Sequence, residues 1–418
     1  MPRLVLKFGG TSVANVERIK NAARHVKREW DAGKNCAVVV SAMSGKTNEL
    51  IAWCKEAAGR YDAREYDAVV ASGEQVTAGL MAMALQDMGL PARSWQGWQV
   101  PIYASDAHGA ARILDVDGRN IEAGFAANRE IAIVTGFQGL HKESGRIATL
   151  GRGGSDTSAV ALAAGLDAER CDTYTDVDGV YTTDPRVVPK ARRLERVSFE
   201  EMLEMASLGS KVLQVRSVEI AMVHRMPTYV RSSFDDPANP RPGTLICDED
   251  EIVRDQPMES QVITGIAFSR DDAQITLRQV ADKPGVAASV FVPLAEANIN
   301  VDMIVQNISE DGAFTDITFT VPSADYERAT ALLERARGEI GFRALQGARD
   351  VAKISAIGVG MRSHSGVAAR AFKALSEKGI NILAITTSEI KFSVLIDSAY
   401  TELAVRTLHT LYGLDKDD

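Results

Sequence analysis

Apolar runs and amphipathic segments alternate along the first half of the chain. The runs LVLKF and CAVVVSAM are each followed by a segment with helical spacing, and IAIVTGFQG enters a glycine turn. Continuous apolar strands between helices are typical of a parallel sheet that is covered on both faces. A proline-rich stretch at 235–242 and an acidic, polar connector then interrupt the pattern. We therefore predict one α/β domain over residues 1–246 and a linker over residues 247–260.

Two segments beyond the linker repeat each other. GVAASVFVPLAEANIN begins at Gly285 and GVAARAFKALSEKGIN at Gly366, with the same length, helical spacing and closing Ile-Asn. A strand precedes each copy, and two strands and a helix follow it, which gives the β-α-β-β-α part of a ferredoxin-like module. RALQGARD can add the last strand to the first module, whereas the chain ends soon after the second. We predict modules at 261–349 and 350–418, with 261–269 completing the second sheet.

Composition narrows the class of protein. The 418 residues are 45% hydrophobic and 25% charged, as in folded globular chains of two or three domains. The net charge is −9 and no basic block occurs, so a nucleic-acid or anionic-membrane partner has no electrostatic support. No apolar run resembles a signal peptide or approaches the roughly 20 residues of a membrane span, and we expect a cytoplasmic protein. The four cysteines lack C-x-x-C spacing, which argues against a disulfide framework or a structural zinc site.

Glycine-containing or polar segments follow the predicted strands, at 7–12, 41–48, 72–74 and 149–159. In open α/β sheets, ligands bind at the carboxyl ends of the strands. Lys7 interrupts an apolar strand just before two glycines, where a charge is costly unless a phosphate meets it. The alternative is a lysine that snorkels from the strand end.

The segment at 149–159, TLGRGGSDTSA, combines three glycines with Arg152 and Asp156. Glycines let backbone N–H groups approach an anion, and an arginine can bind a carboxylate or phosphate with two hydrogen bonds. The helix predicted after it would direct its N-terminus at the same anion. A plain glycine-rich turn with a surface arginine and a capping aspartate is the competing interpretation.

Six motifs in order resemble the aspartate kinase family. They are KFGGTS, SAMSGKTN, SGE, LGRGGSDTSA, YTDVDGVYTTDPR and LGSKVL, followed by the repeated module. The resemblance implies an amino-acid-kinase three-layer α/β sandwich with a mainly parallel sheet, followed by two ferredoxin-like βαββαβ ACT domains. It implies transfer of the γ-phosphoryl group of MgATP to the β-carboxylate of L-aspartate. This gives 4-phospho-L-aspartate, the first step towards lysine, threonine and methionine.

The resemblance also implies roles for single residues. Lys7 is expected to bridge the phosphoryl group and the acceptor, and Asp156 to orient Lys7. The expected aspartate-binding residues are Ser41, Thr47, Glu74 and Arg152, with Glu74 suited to the substrate ammonium. The expected ATP-binding residues are Gly9, Gly10, Thr11, Ser12, Thr175, Asp176, Tyr181, Arg186 and Lys211. Around Lys211 the family often reads FGAKVLH where this chain reads LGSKVLQ.

The repeated modules resemble ACT domains that hold an amino-acid effector. The residues expected at the effector interface are Asp282, Gln306, Asn307, Asn381, Ile382 and Thr387. The resemblance implies feedback inhibition by lysine, threonine or both, and self-association into at least a dimer, because edge strands need cover. A purely structural dimerisation domain is the alternative for the modules. For the whole chain, the alternatives are a related kinase acting on glutamate, acetylglutamate or a nucleotide, and a non-catalytic amino-acid sensor.

Overall fold

The computed structural model describes residues 1–209, 212–253, 262–308, 313–364 and 366–416. The chain divides into two compact units. Unit 1 consists of Met1–Val180, Arg193–Ala206 and Lys211–Pro257, and unit 2 consists of Tyr181–Arg192, Ser207–Ser210 and Met258–Asp418. Unit 1 therefore differs from the expected domain at 1–246, because two short internal segments group with unit 2.

Unit 1 contains twelve strands in two sheets. They are β1 (Arg3–Phe8), β2 (Asn35–Val40), β3 (Ala92–Trp95), β4 (Ile102–Ala104), β5 (Ile113–Val116), β6 (Ile131–Thr135), β7 (Gln138–His141), β8 (Arg146–Thr149), β9 (Arg170–Thr175), β10 (Arg196–Ser198), β11 (Thr228–Ser232) and β12 (Thr244–Cys247). The large sheet has the order β10-β12-β11-β9-β1-β2-β6-β3, and β5-β4-β7-β8 form the small one. Among the described strand pairs of the large sheet, only β11–β12 is antiparallel. The predicted, mainly parallel sheet is confirmed.

Nine helices are described over residues 1–253, and they include helices on both faces of the large sheet. They are α1 (Val16–Asp31), α2 (Lys46–Ala57), α3 (Ala63–Val70), α4 (Ser72–Asp87), α5 (Arg119–Asn128), α6 (Gly154–Gly165), α7 (Phe199–Ser207), α8 (Val215–Val223) and α9 (Glu249–Val253), with a 3-10 turn at Gly10–Val13. Leu4, Leu6 and Phe8 of β1 pack in one core with α1 and α4. Successive strand residues point to opposite faces, and Lys7 reaches Asp156 of α6 on the other face.

The register of the central strands brings their carboxyl ends level. Lys7 lies opposite Val39 of β2 and Thr173 of β9. The residues that follow β1, β2 and β9 therefore meet at one edge of the sheet. β8 of the small sheet runs into the glycine-rich loop and then into α6.

One described helical run, Ala63–Asp87, is long and apolar enough to cross a membrane by length and composition, and half of its apolar 18-residue window is buried within the protein. It consists of α3 and α4. Met81 and Leu85 of α4 are buried in the core shared with α1. The run is therefore a core element of unit 1.

Unit 2 contains two four-stranded antiparallel sheets. The strands are β13 (Gly265–Ser269), β14 (Asp272–Ala281), β15 (Asp302–Ile308), β16 (Phe314–Pro322), β17 (Ala344–Ala348), β18 (Val351–Ile357), β19 (Ile382–Thr387) and β20 (Lys391–Asp397). The helices are α10 (Val286–Glu296), α11 (Tyr326–Arg335), α12 (Arg337–Ile340), α13 (Val367–Glu377) and α14 (Thr401–Leu411), with 3-10 turns at Ser323–Asp325, Val359–Ser363 and Ser398–Tyr400. The sheet orders are β15-β16-β14-β17 and β13-β18-β20-β19. β13, which precedes the first repeat, thus pairs with β18 in the sheet of the second.

Candidate active site

A buried ion pair lies at the end of the central strand. Lys7 of β1 is only 6% exposed, and its Nζ lies 2.5 Å from Oδ1 of Asp156. Asp156 stands in the first turn of α6, which begins after Gly153 in the left-handed conformation, with φ of 71°. An acidic residue in the first turn is favoured by the helix dipole. The pair therefore fixes one ammonium group at the sheet edge.

The turn after β1 passes close to this ammonium group. A Cβ on Gly9 would lie 3.3 Å from Lys7 Nζ, and one on Gly10 would lie 3.2 Å from the carbonyl oxygen of Ala42. Both approaches are tighter than side chains normally allow. The two glycines thus let the backbone pass between Lys7 and the end of β2.

Hydrogen bonds anchor the same turn to β9. The Gly9 N–H donates to the Tyr174 carbonyl at 3.2 Å, and the Ser12 hydroxyl donates to that carbonyl at 3.3 Å. Ser12 is fully buried, whereas Thr11 is exposed. Within the turn, therefore, Thr11 presents its hydroxyl to solvent and Ser12 stabilises the turn from inside.

Glu74 is a buried carboxylate with one free oxygen. It lies on α4, is 2% exposed, and its Oε1 accepts a 2.9 Å hydrogen bond from the N–H of Ala42. Its Oε2 is buried without a hydrogen-bond partner among the described residues. Burial raises the pKa of Glu74 to about 7. Such a group favours a cationic ligand, which would restore its ionised form.

Ser41 and Thr47 flank the segment that follows β2. The N–H of Ser41 donates to the Phe8 carbonyl at 3.1 Å, which ties the start of the segment to β1. Thr47 is half-buried in the first turn of α2, which begins after Gly45 with φ of 82°. Both residues therefore stand where β2 ends, beside the Ala42 N–H that Glu74 holds.

Arg152 is exposed on the loop between β8 and α6. No ion pair to Arg152 occurs within the ranges that the structure describes. Gly151 and Gly153 on either side adopt φ of 76° and 71°. A Cβ on Gly153 would overlap the side chain of Gln214, which covers the loop there. The loop thus presents one unpaired guanidinium next to the helix that carries Asp156.

Two of the expected ATP-binding residues end β9. The Thr175 hydroxyl donates to Oδ1 of Asp176 at 3.1 Å, and the Thr175 carbonyl accepts from the Ser233 N–H at 2.9 Å. Since β9 neighbours β1, these residues are one strand away from the turn at Gly9. They lie at the same sheet edge as Lys7.

Three further expected ATP-binding residues belong to unit 2 or lie outside the described residues. Tyr181 and Arg186 belong to unit 2, where the side chain of Arg186 is 89% exposed and its Nη2 lies 2.7 Å from Oδ2 of Asp184. Lys211 lies outside the described residues. The ATP-binding roles of these three residues stay predictions.

The expected effector residues cluster on two edge strands and nearby loops of unit 2. β15 is one edge strand of the first sheet and β19 is one edge strand of the second, and the two strands contact each other. Met303, Val351 and Leu395 are buried together at this junction. The exposed or half-exposed candidates are Asp282, Gln306, Asn307, Asn381, Ile382 and Thr387. Asp282 precedes α10, Gln306 and Asn307 lie on β15, and the last three residues lie at or on β19.

Three contributors to the site carry no signal in the sequence. The Tyr174 carbonyl and the Ala42 N–H are backbone groups, so their side chains do not indicate their role. Gln214 packs on the loop from a separate helix, and only the tertiary fold reveals that contact. Among the described residues, no group of three or more His, Cys, Asp or Glu side chains is arranged to hold a metal ion. All four cysteines are free and buried.

Comparisons with known proteins show the family of this chain. Models of the Amino acid kinase family and of the ACT domain match residues 2–232 and residues 278–336 and 354–412. An aspartate kinase of Pseudomonas putida is 53% identical over 415 residues, which cover 99% of this chain and 98% of that protein. A crystal structure of E. coli aspartokinase III with aspartate and ADP is 26% identical, with a TM-score of 0.78, and the alignment covers 98% of this chain and 99% of that one. The same enzyme in complex with lysine and aspartate aligns with a TM-score of 0.76 at 27% identity and the same coverage.

Proposed function

The chain belongs to the aspartate kinase branch of the amino acid kinase family, and on that premise we propose the reaction that it catalyses. It transfers the γ-phosphoryl group of MgATP to the β-carboxylate of L-aspartate and releases ADP and 4-phospho-L-aspartate. The observation that carries the proposal is the Lys7–Asp156 ion pair, which lies beside the Gly9–Gly10 turn at the edge of the sheet.

The chemistry requires charge neutralisation more than proton transfer. Both reactants are anions, and the acceptor carboxylate is already ionised at neutral pH, so no general base is needed. A carboxylate oxygen forms a bond to the γ-phosphorus as the bond to the bridging oxygen breaks, and that electron pair leaves with ADP. Positioning and electrostatic stabilisation dominate phosphoryl transfer of this kind. Lys7 is suited to that role, because Asp156 holds its ammonium group in place.

The turn after β1 is suited to the phosphates of ATP. The first N–H groups of a helical turn have no partner within it, and an anion can accept from them. In this chain those groups belong to Gly10 and Thr11. Mg²⁺ enters with ATP as part of the substrate, and Thr175 and Asp176 extend the nucleotide site along β9.

Glu74 and Arg152 account for the choice of acceptor. The buried Oε2 of Glu74 has no hydrogen-bond partner among the described residues and is matched by the α-ammonium group of a free amino acid. Acetylglutamate lacks that ammonium group and would leave the oxygen buried and unpaired. Arg152 supplies the counter-charge for a substrate carboxylate. This pairing favours an amino-acid acceptor over acetylglutamate or a nucleotide.

Turnover of single-site variants tests the proposal. Trapping the product as its hydroxamate should report aspartyl phosphate for the parent protein. Lys7→Ala and Asp156→Ala should each lower kcat about 100- to 1000-fold, the range for removing a preorganised electrostatic group. Lys20→Ala is the matched control, because Lys20 is an exposed lysine of α1 and its loss should leave kcat unchanged. A Lys7→Ala protein with the parent rate would rule out the assignment.

Unit 2 supports a regulatory role that the same assay can test. We propose that lysine, threonine or both bind along β15 and β19 and inhibit the cytoplasmic enzyme, which self-associates through these edge strands as a dimer or tetramer. The relative in the lysine complex has the same fold, and the expected effector residues are accessible here. Inhibition at millimolar lysine or threonine is the expected result. Activity unchanged by both together would contradict the regulation but leave the phosphoryl transfer intact.

A further inference from the structure

Asp67 is a fully buried carboxylate that lies outside every motif of the sequence. It belongs to α3, and His108 Nδ1 lies 2.7 Å from its Oδ2. The Gly109 N–H donates to both carboxylate oxygens at 3.1 and 3.2 Å, and the Thr149 hydroxyl donates to Oδ1. A buried carboxylate is costly unless such donors satisfy it. Asp67 therefore joins the turn at 108–109 to the last residue of β8.

Arg216 is a second charged residue that serves no assigned role. From α8 its Nη1 donates to the Leu150 carbonyl at 2.6 Å, and its Nη2 donates to the Ala111 carbonyl at 3.0 Å. No carboxylate forms a salt bridge with it in the described part of the chain. Burial lowers the pKa of Arg216. A cation that binds two neutral carbonyls is suited to holding two backbone segments together.

The contacts of these two residues meet on one loop. Asp67 holds Thr149, Arg216 holds Leu150, and the Ala111 N–H donates to the Thr149 carbonyl at 2.9 Å. The next residue, Gly151, passes so close to the 108–109 turn that a Cβ on it would lie 3.3 Å from the Gly109 carbonyl. Three successive residues before Arg152 are thus fixed to the protein.

We propose that Asp67 and Arg216 are positioning residues that set the direction of Arg152 and thereby the affinity for the acceptor substrate. This inference rests on the proposed role of Arg152 as the cation that binds a carboxylate of aspartate. Neither residue needs to contact the substrate, because the loop transmits their effect.

Steady-state kinetics of Arg216→Met should separate positioning from chemistry. The expected result is an increase of about tenfold in the KM for aspartate, since a misplacement of about 1 Å caused by a mutation away from the chemistry can cost up to about 100-fold. The KM for ATP and kcat should change less than about twofold. The KM for aspartate of Arg216→Lys should lie between those of the parent and of Arg216→Met, because an ammonium group lacks the planar geometry with which a guanidinium binds two carbonyls.

Thr149→Val offers a second test that preserves the size of the side chain. It removes only the hydroxyl that donates to Asp67, and it should raise the KM for aspartate in the same direction. The matched control is Arg119→Met. Arg119 is an arginine of unit 1 whose side chain is 85% exposed and pairs only with Asp117 in the described structure, so its loss should leave both KM values unchanged.

A readout that needs no catalysis completes the test. Amide hydrogen exchange over 149–154 should be faster in Arg216→Met and Thr149→Val than in the parent and in Arg119→Met. Parent-like exchange together with a parent-like KM for aspartate would overturn the inference. So would an equal loss of kcat and of both affinities with a lower melting temperature, which indicates general destabilisation. If the parent protein fails to phosphorylate aspartate, the proposed function fails, while the exchange data still report on whether the loop is held.

Discussion

The two repeats of unit 2 share one plan in their sheets and first helices. α10 and α13 each begin after a left-handed glycine, Gly285 with φ of 92° and Gly366 with φ of 84°. Buried or partly buried hydroxyl pairs join equivalent strands: Thr276 with Thr318 at 3.0 Å in the first sheet, and Ser355 with Ser393 at 2.7 Å in the second. The repeats therefore conserve packing details as well as element order.

The second helices of the two repeats, α11 and α14, differ in the chain segments that pack against them. His409 of α14 is fully buried, and its Nε2 lies 2.9 Å from the Thr182 hydroxyl oxygen. Glu334 occupies the same place in α11, counted from the first residue of each helix, and it is exposed and pairs with Arg337. The cover on α14 is the segment 181–192, which interrupts the part of the chain assigned to unit 1.

This segment adds apolar side chains to the second core. Val188 is buried there with Ile263 and Leu408, and Val187 packs against the same cluster. The Val187 carbonyl also accepts a 3.0 Å hydrogen bond from Arg406 Nε. Within the described ranges, the core of the first repeat draws only on residues between 273 and 345. Two copies of one module thus reach stability in different ways, one by itself and one with a segment inserted from the middle of the chain.

The largest expected effect on the stability of the second repeat comes from replacing Val188 by aspartate. An unpaired charge in the second core should lower the free energy of unfolding of unit 2 by about 3 kcal/mol or more. Urea unfolding followed by circular dichroism measures it. Ala331→Asp on the exposed face of α11 is the control, and it should cost less than about 0.5 kcal/mol. Equal losses in the two variants would mean that the segment is no part of the second core.

A smaller effect should follow when Thr182 is changed to valine. Its hydroxyl oxygen accepts from the Arg192 N–H at 3.0 Å and lies 2.9 Å from His409 Nε2. The variant keeps the shape of the side chain but removes the hydroxyl to which both partners bind. The free energy of unfolding should therefore fall by about 1–3 kcal/mol. Thr330→Val in α11, where the hydroxyl bonds only within its own helix, should cost less in the same urea experiment. A larger loss for Thr330→Val would reverse the comparison.

Sequence patterns predict the shared plan because they are local. Helical spacing, the glycine before each helix and alternating strands depend on neighbours a few residues apart. The amino-acid-kinase and ACT fold class was predicted in this way with the help of the family motifs, and it is confirmed. The Lys7–Asp156 pair was expected from the family motifs, and the structure has it as an ion pair.

The packing of segment 181–192 against the second repeat could not be predicted from local sequence patterns. The motif YTDVDGVYTTDPR indicates a loop with nucleotide-binding chemistry, and the valines after it form too short a run to predict a core element. Their burial depends on residues more than seventy positions away in the chain, such as Ile263. Asp67 and Arg216 were missed for the same reason, because each is an ordinary helical residue until the fold brings the loop against it.

The smallest expected effect is a pH dependence of stability that His409 contributes and that its counterpart in the first repeat, Glu334, does not contribute. Burial lowers the pKa of His409, so the imidazole takes up its proton at a lower pH in the folded protein than in the unfolded chain, where the pKa is near 6.5. At pH values between the two pKa values the unfolded state binds the additional proton, so the contribution of His409 to stability falls as the pH decreases below about 6.5. His409→Gln should therefore flatten the change in urea midpoint between pH 7.5 and 5.5, relative to the parent. Burial lowers the pKa of His25 in unit 1 to about 4, so His25 also makes stability depend on pH. This contribution is the same in the parent and in His409→Gln, and it cancels when the two are compared. Glu334→Gln in the first repeat should keep the parent change of urea midpoint with pH. If His409→Gln also kept it, the inserted segment would not keep this histidine neutral.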